Sequence, residues 1–108
     1  MARHKVKITV LKRVDPEYIF DGKVPTSPSG KKYSICTAFK DGQEFISENI
    51  RCPEGFCNYA WKDIYSDLRV LACGGDHEPW VEKPKMISCC TDGIRPVSFI
   101  LERIEEEK

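Results

Sequence analysis

Helical periodicity occurs in one stretch of this chain. From about Asn58 to Cys73, the residues Trp61, Ile64, Tyr65, Leu68, Leu71 and Ala72 recur on one helical face. Lys62, Asp63, Ser66, Asp67 and Arg69 fill the other. Gly74-Gly75 supplies the left-handed residue that ends such a helix. A single amphipathic helix cannot bury its stripe alone, so the rest of the chain must provide the surface it packs on.

That surface reads as a sheet. Val6, Ile8 and Val10 alternate with Lys7 and Thr9, which predicts a half-buried strand ended by Asp15-Pro16. Residues 17–20 predict a short apolar clip or helical turn under a long loop, 21–34, rich in Gly, Pro and Ser. Asp41-Gly42 is a turn, and Gln43 to Glu48 forms a second strand. Cys52 to Cys57 is a tight loop. The loop from Asp76 to Trp80 is expected to fold its Trp over the core. Met86–Thr91 pairs with Ile94–Arg103 across Asp92-Gly93, a two-residue hairpin signal, with Val97, Phe99 and Leu101 on the buried face. The expected architecture is α+β. A small antiparallel sheet runs β-β-α-β-β with one main helix packed on one face, in a single domain over 1–108. The long first and last strands are expected to be neighbours.

Charge and composition exclude some functions. Seventeen basic and seventeen acidic residues cancel, so no global field recruits nucleic acid or a membrane surface. Local patches leave room for a protein partner. The basic start is followed by no apolar signal region, and no run has the length of a membrane span. These features predict a cytoplasmic protein, in which thiols stay reduced. No glycine-rich phosphate loop is present, because Gly74-Gly75 is a helix stop.

Six cysteines in 108 residues therefore point to metal, redox or catalytic use, or to packing. Cys57 lies at the helix start, where unpaired backbone N–H groups and the dipole favour an anion. Cys89 and Cys90 are adjacent, so strand alternation sends them to opposite faces. A two-residue turn puts Cys90 opposite Arg95 and on the side of Val97 and Phe99. A Cys89–Cys90 disulfide is disfavoured, because Cα atoms about 3.8 Å apart lie below the usual disulfide range. Cys57 and Cys90 are the best catalytic candidates. Cys36, Cys57 and Cys90 could together bind zinc or iron, with Cys89 or His77 as a fourth ligand. Cys52 and Cys57 could form a C-x4-C knuckle or close as a disulfide. Asp92 is better explained by the hairpin, and Asp63 and Arg95 by structural pairing.

A set of motifs resembles one family of small uncharacterised prokaryotic proteins, found largely in anaerobes. The set comprises Pro53-Glu54-Gly55-Phe56-Cys57, Ala60-Trp61-Lys62-Asp63-Ile64-Tyr65, Gly74-Gly75 with Pro79-Trp80, and Cys89-Cys90-Thr91-Asp92-Gly93-Ile94-Arg95-Pro96-Val97. Val6–Lys12, Gly42-Gln43-Glu44-Phe45 and Glu102-Arg103-Ile104 extend it over almost the whole chain. The resemblance implies no activity. It implies recurring cysteines at Cys57, at the Cys89-Cys90 pair and at Cys36, whereas Cys52 and Cys73 have no counterpart.

Two functional expectations follow, and they leave open whether the chain is an enzyme. One is a thiolate site between helix start and hairpin, for metal binding or thiol redox. The other is a non-catalytic accessory or protein-interaction domain whose cysteines are packing.

Overall fold

The computed structural model describes residues 3–105. In chain order the elements are β1 (Val6–Arg13), α1 (Pro16–Ile19), β2 (Glu44–Ser47), α2 (Asn58–Ala72), β3 (Lys85–Cys89) and β4 (Val97–Arg103). The strands form one antiparallel sheet in the order β2-β1-β4-β3. The first and last strands are its central pair, and the expected α+β architecture is the one observed. Among the described residues, no helix is long and apolar enough to cross a membrane.

Alternation builds the core. Val6, Ile8 and Val10 of β1 and Val97, Phe99 and Leu101 of β4 are fully buried, against Ile64, Leu68 and Leu71 of α2. Each such side chain contributes about 1.5–3 kcal/mol of burial free energy. Tyr65, expected on the buried stripe, lies at its edge and is exposed. The far face of the sheet is uncovered, so Ile46 and Ile87 remain exposed. α2 covers only part of the sheet. The remainder is filled by Phe39, from the loop before β2, and Phe56, from the loop before α2. Their rings lie 5.0 Å apart, and Phe39 stands edge-on to Phe99 at 5.2 Å.

Both ends of α2 are fixed. Cys57 is its N-cap and its C=O accepts the Trp61 N–H at 2.9 Å. At the other end Gly74, with φ +93°, completes a paired closure. Gly75 N–H reaches Val70 O at 2.8 Å, and Gly74 N–H reaches Leu71 O at 3.0 Å. Arg103, only 8% exposed, donates to Gly75 O at 2.6 Å and so ties this closure to β4. Asp76 Oδ1 lies 3.2 Å from Arg103 Nη2 with no N–H aimed at it, a charge contact rather than a hydrogen bond.

Three of these expectations change and one is met. The β3–β4 connection is a seven-residue segment, Cys90 to Pro96, in place of a two-residue turn, because Cys89 pairs with Ser98 and Ser88 with Phe99. Asp92 opens the turn: its Oδ1 accepts the N–H groups of Ile94 and Arg95 at 3.0 and 3.3 Å, and Pro96 has no N–H to pair. Trp80 does not cover the core; it is 80% exposed. The helical turn expected over residues 17–20 is met by α1, capped by Asp15, which buries Pro16 while Tyr18 faces solvent. Finally, β1 carries a bulge at Leu11, since Val10 pairs with Phe99 and Lys12 with Ser98. The extra residue turns Arg13 to the side of the sheet that α2 covers, where it pairs with Val97.

Candidate functional site

Three cysteines from three parts of the chain line one cleft of about 290 Å³ between the start of α2, the β3–β4 loop and the loop before β2. They are Cys36, Cys57 and Cys90, and Tyr59, Asp92 and Arg95 complete the polar part of a mostly apolar wall. All six cysteines are free thiols.

Cys57 reaches the cleft because of the loop before it. Gly55 takes φ +82°, a conformation that favours glycine, and Phe56 N–H bonds Pro53 O at 3.1 Å. The Phe56 ring then inserts into the core and leaves Cys57 half-buried at the N-cap. Its side chain makes no capping bond. Cys52, at the other end of this loop, has Pro53 O and Asn58 Oδ1 as acceptors, each at 3.7 Å. Burial pushes the Cys52 thiol up, and the neighbouring Cys57 sulfur adds to the shift. Cys52 is thus held as a protonated donor. It lines a different hollow, of about 380 Å³, beside Glu48 and Glu54.

Cys36 is positioned by Arg13. The guanidinium Nη1 donates to Cys36 O at 3.1 Å, while Nε and the Arg13 backbone N–H both reach Asp41 Oδ1 at 3.0 Å. These bonds hold the Asp41 carboxyl below its ordinary range and pin both ends of the Cys36–Asp41 stretch to β1.

Cys90 is 8% exposed, immediately after β3. Its N–H donates to Val97 O at 3.0 Å, and its Sγ accepts the Val97 N–H at 3.3 Å. The next residue is clamped to α2. Thr91 donates to Asp63 Oδ2 through its N–H at 2.8 Å and its hydroxyl at 3.0 Å, and Lys62 bonds Asp63 Oδ1 at 2.7 Å. Burial works to raise the Asp63 carboxyl, but the bonds from Lys62 and Thr91 outweigh it and hold the group below its usual value. Lys62 also lies 4.0 Å over the Tyr59 ring at the mouth of the cleft.

Cys36, Cys57 and Cys90 are therefore brought to one cleft, with Arg95 on its wall. The two suggested fourth ligands are not. Cys89 is exposed on the opposite face of the sheet. His77 lies against Asp67 O at 3.3 Å, about 15 Å along the helix from Cys57 at 1.5 Å rise per residue. Among the described residues no three His, Cys, Asp or Glu side chains are grouped so as to hold one metal ion. Asp92 is a loop former, and Arg95 bonds it through Nε at 3.2 Å. Arg13 and Phe39 carry no signal in the sequence that places them at the site. A bulge that no composition signals turns Arg13 inward, and Phe39 lies in a stretch without periodicity.

No family model, curated protein or solved structure matches this chain.

Proposed function

We propose that this protein is a thiol-exchange module of a reducing compartment, the cytoplasm, with Cys36, Cys57 and Cys90 as its working thiols. The observation that carries the reading is the convergence of these three free cysteines on one cleft. Thiol–disulfide exchange needs a reachable attacking thiolate and a second thiol behind it. Cys36 and Cys57 are half-buried and reachable, and Cys90 lies deeper. A thiolate attacks a disulfide sulfur, the old S–S bond breaks, and one half leaves as a thiolate. A second cleft thiolate then attacks the mixed disulfide and releases the other half.

The same three sulfurs are a soft donor set for zinc or iron. Exchange engages two sulfurs at a time, whereas a structural ion needs three or four donors around one point. Exchange does not require the grouped triplet that a metal ion would, and none is found among the described residues. The resemblance to the small prokaryotic family belongs to the same proposal, since its recurring cysteines include these positions. A second reading, as a protein-interaction domain, is favoured by one observation: the large exposed Trp80 surface.

The test is disulfide mapping on anaerobically purified protein before and after titration with a small disulfide, with metal content measured alongside. A reversible disulfide within the Cys36, Cys57 and Cys90 set, lost in Cys57→Ser, supports exchange. Stoichiometric zinc or iron lost in the same variant moves the reading to metal binding. Native thiols that stay unreactive, with no metal, leave the packing and interaction reading.

A further inference from the structure

The thiol cleft shares a wall with a second hollow. Arg95 bounds both. The second, of about 230 Å³, is lined by Ser27, Lys31, Lys32, Ser34 and Thr37 besides Tyr33 and Arg95, with no carboxylate in its wall. Cys36 and Thr37 are consecutive, yet they line different hollows. A narrow ridge of chain thus separates a sulfur-lined cleft from a basic, hydroxyl-lined one.

The cations are unequally committed. Lys32 is paired with Glu17 at 2.6 Å. Arg95 bonds Asp92 through Nε, which leaves its terminal N–H groups for another partner, and its guanidinium lies 5.5 Å from the Tyr33 ring centre. Lys31 is exposed at the rim. A guanidinium fork beside an ammonium fits a carboxylate.

We propose that the two hollows form one binding site for a small disulfide that carries a carboxylate, its sulfur end beside Cys36 and its anionic end against Arg95 and Lys31. This rests on the thiol-exchange reading and names its substrate class. The Cys36 thiolate attacks one ligand sulfur, and the ligand S–S bond breaks. One half departs as a thiolate that takes a proton from solvent. The other half stays on Cys36 as a mixed disulfide, its carboxylate still held by the cations.

The experiment uses three small disulfides on the full chain at fixed pH and low ionic strength: dithiodipropionate (anionic), hydroxyethyl disulfide (neutral) and cystamine (cationic). Rates of modification are read by mass spectrometry with the modified cysteine mapped. The expected order is anionic, neutral, cationic, with dithiodipropionate about tenfold faster than the neutral probe and that advantage lost in high salt. Lys31→Glu, an exposed loop change, should slow dithiodipropionate about tenfold and leave the neutral probe unchanged, and Arg95→Gln should act in the same direction. Equal rates for the three probes, or a Lys31→Glu that slows all alike, overturn the carboxylate site while exchange survives. No modification of any cleft cysteine by any probe overturns the exchange reading with it.

Discussion

The backbone N–H of Val97 donates to the sulfur of Cys90 at 3.3 Å, inside the core and at the floor of the cleft. Sulfur here replaces a carbonyl as the acceptor at the first residue of β4. Removing it leaves a buried N–H without that partner, which costs about 1–3 kcal/mol. Cys90→Ala should therefore lower the unfolding free energy from urea titration by an amount in this range, as a lower midpoint with an unchanged slope. Cys90→Ser, which keeps an acceptor, should lose less. Equal losses in the two variants would mean that packing volume rather than the hydrogen bond sets the cost.

Cys57 should behave in the opposite way. It caps α2 without a side-chain bond, and serine is among the preferred N-caps. Cys57→Ser should leave the fold intact or stabilise it by about 0.5–1 kcal/mol while removing one thiol from the cleft. Loss of exchange in a protein at least as stable as the parent would separate chemistry from folding. A destabilised Cys57→Ser would show that the sulfur's packing against the core outweighs capping.

The faces of Cys89 and Cys90 followed from strand alternation although the register did not. The two-residue turn expected at Asp92-Gly93 misplaces the β3–β4 pairing by two positions. A shift of two preserves strand parity, so Cys90 still points inward with Val97 and Phe99, and Cys89 outward. On β1 the displacement is one residue, at Leu11, and parity flips for Arg13. Reading β1 as a plain strand leaves Arg13 on the solvent face and hides its hold on Cys36. Phe39 was illegible for another reason. Its burial depends on a gap that α2 leaves over the sheet, which no local pattern around Cys36–Asp41 encodes.

Arg13 predicts a change in reactivity at a distance from any sulfur. Its guanidinium bonds the Cys36 backbone and Asp41 together. Arg13→Ala should free the Cys36–Asp41 stretch, raise amide exchange there and increase Cys36 modification by a neutral thiol reagent several-fold. Cys90 should change less, because Val97 and Asp63–Thr91 fix it independently. Arg13→Lys keeps the charge but cannot make both contacts at once, and should resemble alanine in amide exchange. Unaltered exchange over 36–41 in both variants would rule out Arg13 as the positioning residue.

Acid should open the site through Asp63. Its side chain is 7% exposed and receives two bonds from Thr91, whereas its partner Lys62 is more than half exposed, so the Thr91 bonds supply most of the stabilisation. The folded carboxyl is held below its ordinary value, and Asp92, in the β3–β4 loop with Thr91, is shifted the same way. There burial again opposes the shift, and the bonds from Ile94 and Arg95 prevail. A carboxyl with a depressed folded value contributes stability that is complete above the unfolded value, near about 4, and is lost as pH falls through the folded one. Asp63→Asn should thus cost about 1–2 kcal/mol at neutral pH. That gap should begin to close as the pH drops below about 4 and vanish once it has fallen through the lower folded value, where the parent carboxyl is itself neutralised. Because Thr91 follows Cys90 directly, the same titration should raise the reactivity of Cys90 relative to Cys57 in a pH-independent thiol assay. A difference between Asp63→Asn and parent that persists at low pH would assign the clamp to shape instead of charge.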